Sequence, residues 1–253
     1  MSIALFRFYE ELNDFLPAGQ RKRDIQVSFD PPVPVRHLIE TLGVPHTEVE
    51  LILANGESVG LDHPVRPGER ISVYPVFEAL DVTPLLRVRS RPLREPRFLA
   101  DAHLGKLARW LRLMGFDTAF DPRSPDAELT ARAVRDGRIL LTRDRALLMR
   151  RELTHGCYVR QTGLGAQLEQ LIRRLDLCRA IRPFTRCMRC NGLLRPAGRD
   201  EVAPLIPAGV LRRQDGFWRC GSCGQAYWRG SHFRRLASEV ERLCGEASVV
   251  SRQ

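Results

Sequence analysis

The stretch 97–117, RFLADAHLGKLARWLRLMGFD, leaves this chain few choices. Arg97 to Ala100 is a short apolar run that suits a buried strand, and Asp101 falls where that strand ends. Leu104, Leu107, Ala108, Leu111 and Met114 then recur at three- and four-residue spacing, the pattern of one helix face. Lys106, Arg109 and Arg112 fall on the opposite face. A buried strand followed directly by a helix with a single apolar stripe predicts a β-α unit of a covered parallel sheet.

The alternation continues downstream. Thr118 to Phe120 fits a short strand. Ser124 is placed to N-cap a helix with Pro125 in its first turn, running to about Asp136 and ended by Gly137. Arg138 to Leu141 is another short strand, closing in Thr142-Arg143-Asp144, and Arg145 to Glu152 is helical. Cys157 to Val159 fits a further strand, and Leu164, Leu168, Leu171, Ile172 and Leu175 mark an amphipathic helix over 164–177. The fold class is therefore α/β.

In open parallel sheets, sites form beyond the carboxyl ends of the strands. Asp101 and Asp144 both sit at such ends, with Asp126 and Glu128 in the first turn of the helix between them. On neighbouring strands, about 4.8 Å apart, two such carboxylates would share a divalent ion. An all-oxygen donor set suits magnesium or manganese, which promote phosphodiester hydrolysis. The same residues have plainer uses. Asp144 would equally cap the helix after it, Asp126 would favour its helix dipole, and Lys106 would equally be a solvated side chain.

Charge separates the chain into two parts. Residues 1–80 hold seven Lys and Arg against twelve Asp and Glu, a net −5; residues 81–253 hold 33 against 18, a net +15. Lys22 and Lys106 are the only lysines, so the positive charge is almost all guanidinium, suited to bidentate phosphate contact. A G- and C-rich genome would account for the arginine bias but not for the opposite signs, which point to a polyanionic partner for the larger part. No apolar run reaches the roughly 18 residues of a membrane span, and MSIALFRFYEEL meets charge too early for a secretory leader, so a cytoplasmic protein is expected.

In residues 1–80, strands are expected over Ala4–Tyr9, Asp24–Phe29, Glu48–Ala54 and Arg70–Pro75, with a helix over Val35–Leu42 ended by Gly43. Asn55-Gly56 reads as a hairpin turn, and Arg66-Pro67-Gly68-Glu69 as the turn into the last strand. This order resembles the ubiquitin-like β-grasp fold, and ANGESVGLDHPVRPGERISVYP resembles its small sulfur-carrier branch. Those carriers end in Gly-Gly, whereas this chain continues VYPVFEALDV. Carrier chemistry is absent, which leaves a module for binding a protein partner or gating substrate, or a folding accessory. Residues 81–96 form a basic, proline-interrupted linker, either solvated or tracking a phosphate backbone.

Four of the seven cysteines form two C-x-x-C pairs, Cys187/Cys190 and Cys220/Cys223, with 29 residues between them. Facing each other, they would make a closed tetrahedral site for structural zinc. Cys157, Cys178 and Cys244 read as small buried or incidental thiols. The run Tyr227-Trp228-Arg229-Gly230-Ser231-His232 mixes stacking and cationic residues that suit single-stranded RNA, packing of the ribbon being the alternative and His232 as a zinc ligand a third. Residues beyond about 240 read as a fraying end.

RFLADAHLGKLARWLRLMGFDTAFD, followed by DAELTARA, GRILLTRDRALL, RCMRCN and FWRCGSCGQAYWRGSHF, resembles the PIN-like Mut-seven-C RNase domain with its zinc-ribbon tail, a family with members preceded by a ubiquitin-like module. The resemblance implies a metal-dependent ribonuclease. It places the metal-binding acids at Asp101, Asp126 and Asp144, with Glu128 as the nearest candidate for a fourth, and Thr142 orienting Asp144. Lys106, Arg109 and Arg143 would hold phosphate, and Trp228 and His232 would contact RNA. The expected organisation is a β-grasp module over 1–80, a linker over 81–96, the nuclease domain over 97–182, a zinc ribbon over 183–237 and a tail over 238–253. A non-catalytic RNA- or tRNA-binding adaptor is the alternative function.

Overall fold

The structure, a computed structural model, describes residues 1–75, 87–88 and 96–250, excluding the side chains of His232, Leu236 and 246–250. Within 1–75 the strands are β1 (Ser2–Phe8), β2 (Ile25–Phe29), β3 (Leu51–Ala54), β4 (Glu57–Val59) and β5 (Arg70–Tyr74), with helix α1 (Val35–Thr41). They form one sheet in the order β2-β1-β5-β3-β4, with β1 and β5 parallel at its centre. That is the β-grasp arrangement expected. Asn55 and Gly56 both take positive φ between β3 and β4, the mirror-image turn that matches strand twist. The alternating side chains Ala4, Phe6 and Phe8 of β1 point into a core shared with Ile39, Ile52, Ile71 and Val73. The third strand starts three residues later than expected, because His46–Glu48 turn as a 3₁₀ segment.

Downstream come β6 (Phe98–Ala100), α2 (Gly105–Leu113), β7 (Thr118–Phe120), α3 (Asp126–Arg135), β8 (Ile139–Thr142), α4 (Arg145–Leu148), β9 (Gly156–Tyr158) and α5 (Leu164–Arg174). Strand β6 pairs parallel with β7, and β8 pairs parallel with β9. The five apolar residues read as the inner face of α2 and its flanks are all buried. Two local expectations fail. Ser124 does not cap α3; Pro125 takes the N-cap position, with no side-chain cap, so Ser124 lies one residue too early. The helix expected over 145–152 closes after Leu148, where the N–H of Met149 is shared among the carbonyls of the final turn.

The compact units do not follow linear order. One combines the described residues of 1–95 with Pro125–Tyr158; the other combines Pro96–Ser124 with Val159 onward. In the first unit the β-grasp module grips the segment after Asp144. Arg36 donates to the carbonyls of Met149 and Arg151, Thr47 Oγ1 to that of Leu148, and the Tyr158 N–H to Glu48 Oε1. The Arg145 guanidinium lies 5.3 Å from the ring centroids of both Phe15 and Tyr158. Gly156 permits this approach: a Cβ there would stand 2.4 Å from Leu148 Cδ2 and 3.1 Å from Thr47 Oγ1. Of the expected linker, Val88 packs against the module's core, and all but Arg87, Val88 and Pro96 lies outside the described residues.

In the second unit, α2 packs on β6 and β7 and against α5, and Leu107 and Leu111 of α2 and Leu168, Leu171 and Ile172 of α5 are all buried. Strands β10 (Leu194–Ala197), β11 (Phe217–Cys220) and β12 (Ala226–Trp228) form an antiparallel ribbon. Two short helices, α6 (Arg199–Val202) and α7 (Ala208–Arg213), lie between β10 and β11. The end read as fraying is helical: α8 runs over Ser231–Val250, buries Leu243, and is tied to the turn after α5 by a Cys178–Cys244 disulfide. Those two cysteines are therefore not incidental thiols. Among the described residues, no helix is long and apolar enough to cross a membrane.

The module's grip has a titratable component. His46 Nδ1 lies 2.6 Å from Glu40 Oε1 while its Nε2 lies 2.8 Å from the Leu153 carbonyl. Burial pushes the Glu40 carboxyl up, but His46 and Arg36 outweigh it and hold the group below its ordinary 4.5. A depressed carboxyl stabilises the fold fully above about 4.5 and loses that contribution as pH falls through its folded value. Glu40→Gln is expected to lower stability by roughly 1 kcal/mol at pH 7. Melting curves of both proteins from pH 7 to 3 should converge at the acid end.

Candidate functional site

The two C-x-x-C pairs fold as matching knuckles. The Cys187 N–H donates to the Gly192 carbonyl and the Cys220 N–H to that of Gln225, at 2.8 and 3.0 Å. Four residues after each first cysteine, Asn191 and Gly224 take positive φ and donate back to its carbonyl. The turns bring the four sulfurs within 4.8 Å of one another, with Cys187–Cys223 at 3.6 Å and Cys190–Cys220 at 3.5 Å. A tetrahedron with Zn–S bonds of about 2.3 Å has edges of about 3.8 Å, so the donor set fits zinc. Burial pushes the Cys220 thiol up, but the N–H groups of Cys223 and Ser222 bring it down to about 7; burial pushes Cys190 up to about 12. Four such sulfurs cannot all ionise without a cation among them.

The first knuckle is fastened to the sheet of its unit. Asn191 donates to Asp117 Oδ1 and accepts from the Thr118 N–H, at 2.7 and 3.0 Å. Arg112, expected on the cationic outer face of α2, is instead buried and donates to the carbonyls of Thr118, Met188 and Arg189. Its neighbours Lys106 and Arg109 are exposed as expected. Tyr227 places its hydroxyl 3.1 Å from Cys187 Sγ, so this member of the presumed stacking run also faces the cysteine cluster.

The acids divide between the units. In the second, Asp101 follows β6 and accepts the Ala102 N–H, capping the 3₁₀ turn at 102–104. Gly105, the first residue of α2, lies against the Phe120 ring, where a Cβ would be 2.8 Å away. In the first unit, Asp144 follows β8, and its Oδ1 accepts the N–H groups of Ala146 and Leu147. The buried Thr142 Oγ1 accepts the Asp144 N–H at 3.0 Å, which fixes the backbone carrying that carboxylate. Asp126 and Glu128 are exposed in the first turn of α3, and Arg143 is exposed beside Asp144. His232 has its side chain outside those described.

A family model described as the Mut7-C RNAse domain matches residues 96–240, and one described as Mut7-C ubiquitin matches residues 1–81. The chain belongs to the Mut7-C RNAse domain family. No curated protein matches it. Two crystal structures of small archaeal modifier protein 1 from Haloferax volcanii are similar to 30% and 31% of the chain and cover 100% and 99% of their own lengths, each at 17% identity and a TM-score of 0.25.

The Mut7-C RNAse match runs through both acid-bearing strand ends and both cysteine knuckles, ending within α8. Two of this region's contacts escape sequence reading. Arg112 shares the spacing of Lys106 and Arg109 and gives no sign of burial. Asn191 carries a hint, as asparagine is the usual substitute for glycine at a left-handed position, here matched by Gly224 in the second knuckle.

Elemental analysis is expected to find one zinc per chain. Cys220→Ser should abolish that stoichiometry and lower the melting temperature by ~10 °C or more, because the metal's binding energy contributes directly to folding.

Proposed function

We propose that this Mut7-C protein is a metal-dependent, PIN-like ribonuclease that hydrolyses RNA phosphodiester bonds, with structural zinc in its ribbon. The single observation carrying this is the Mut7-C RNAse match, within which Asp101 and Asp144 each close a parallel-paired strand at its carboxyl end. Asp101, Asp126 and Asp144 would hold a magnesium or manganese ion, with Glu128 as a further oxygen donor; such ions favour all-carboxylate sets that leave positions for water. Bound there, the ion supplies an activated water and neutralises charge on the phosphate.

The remaining roles belong to the chain's own groups. Thr142 holds the Asp144 backbone through its hydroxyl, so that this carboxylate is presented in one orientation. Lys106, Arg109 and Arg143 bind backbone phosphate, and the +15 net charge of residues 81–253 draws the polyanion in. Trp228 and His232 contact RNA bases. The acidic β-grasp module, whose chain runs on without a Gly-Gly end, acts through contacts and not as a carrier. One of its partners is in cis, the segment following Asp144; its remaining surface serves a protein partner.

Labelled single-stranded RNA should be cleaved only with added manganese or magnesium. Asp144→Asn and Asp101→Asn should each reduce the rate roughly a hundredfold or more while RNA affinity persists. Thr142→Val, which keeps the shape and removes the acceptor, should lower kcat about tenfold with little change in KM. Undiminished binding with no cleavage under any metal condition would leave a non-catalytic RNA-binding adaptor in place of the enzyme.

A further inference from the structure

The second unit contains a cavity of about 450 Å³ that none of the acids lines. One wall is α2, through Trp110 and Leu113, and the other is the ribbon and the start of α8, through Met188, Tyr227, Trp228 and Phe233. Its size is in the range of about 300–1,000 Å³ typical of small-ligand sites, and its walls are mainly aromatic and apolar. A second hollow of about 270 Å³ shares Met188, Gln225 and Tyr227 with it and adds Arg109 and Arg189. Arg235 also lines the larger cavity, and the exposed Arg229 lies 5.3 to 6.0 Å from the rings of Trp218, Phe233 and Phe184.

An aromatic hollow joined to a guanidinium-lined one matches the two halves of a nucleotide. The base has π faces to stack on Trp110 or Tyr227, and its phosphate is an anion for Arg109 and Arg189. A purely apolar ligand would gain nothing from the flanking arginines. We propose that this paired cavity receives one unpaired nucleotide of an RNA strand, base inward and phosphate on the arginines. The proposal rests on RNA being the substrate and deepens that reading: it makes the ribbon–α2 cleft a recognition subsite, and it selects single-stranded over duplex RNA, whose bases are stacked away.

The cavity's construction explains why such a subsite would be rigid. Met188 lies within the first knuckle, where its carbonyl accepts from Arg112, and Tyr227 reaches Cys187 Sγ through its hydroxyl. Cysteine cluster and cavity therefore share a wall, and the base would enter a preformed slot rather than order one. Preformed aromatic slots bind with little entropic loss.

The test uses the full zinc-loaded chain without added magnesium or manganese, and single-stranded RNA 12-mers carrying one 2-aminopurine. Binding should quench the fluorescent base, whereas a duplex of the same sequence should show no quenching. Trp110→Ala should weaken binding about tenfold or more, and Trp110→Phe should restore most of it. Met188→Glu, which adds a negative charge to the shared wall without emptying the cavity, should weaken binding comparably. Zinc content and melting temperature are measured for every variant to verify folding.

Unchanged affinity in folded Trp110→Ala and Met188→Glu overturns the proposal, as does equal affinity for a strand with an abasic site in place of the fluorescent base. Cleavage is measured separately. Metal-dependent cleavage that these variants leave untouched defeats the subsite and spares the nuclease. Base-dependent binding lost in the variants, in a wild-type chain that never cleaves, defeats the nuclease and spares the subsite.

Discussion

The buried guanidinium of Arg112 is the contact on which most of the second unit depends. From the last turn of α2 it donates to the Thr118 carbonyl at the start of β7 and to two carbonyls inside the first cysteine knuckle. One side chain thereby fixes a helix, a strand and a cysteine-bearing turn to each other. Burial pushes its pKa below the ordinary value, the sign of a cation taken partly out of water, and three carbonyl dipoles compensate that desolvation. Each carbonyl left without a donor would cost about 1–3 kcal/mol, so no apolar residue fills this position. Asn191 duplicates the connection by a second route through Asp117 and Thr118, and Asp117 also receives Arg97 and Arg186. The first cysteine knuckle and strand β7 are joined in one polar framework.

The first unit is joined by a different logic. There the β-grasp module presents polar side chains to the segment that follows Asp144, and they meet backbone groups of α4, the loop after it and β9. Short elements need such partners. Helix α4 has four residues and β9 three, too few to hold their own geometry, and backbone bonds to a larger body supply what length does not. The module is consequently part of the scaffold around one acid-bearing strand end, in addition to any surface it offers to others.

Much of this was legible in the sequence, for identifiable reasons. The apolar stripe of α2, the Asn55-Gly56 hairpin and the two cysteine pairs each impose a local geometry that admits few alternatives. The placement of Asp101 and Asp144 at strand ends was legible too, since apolar runs of three or four residues mark where such strands stop. Long-range pairings were not. Arg112 looks like any solvated arginine until Met188 and Arg189 are brought against it, 76 and 77 residues later. Cys178 and Cys244 stand 66 residues apart with nothing between them to announce a bond. The gripping role of His46, Thr47 and Glu48 was equally hidden: Glu48 reads as the start of a strand, and nothing local marks the turn over His46–Glu48 that presents all three. Spacing along the chain encodes which face a residue occupies and says little about what will cover that face.

The two compact units are threaded through one another along the chain, and this has a consequence for how the protein is made. The β-grasp module is synthesised before the residues that follow it, yet its unit is closed only when Tyr158 has been synthesised, after all of 96–124. Those residues, β6, α2 and β7, belong to the other unit, and they must wait for α5 and the first cysteine knuckle. Each half therefore holds an unfinished piece of apolar surface while the other is being completed. Contacts of such sequence separation form late and slowly. Synthesis would proceed with the module folded, α2 exposed beyond it, and completion delayed until the first knuckle, some seventy residues after α2, arrives.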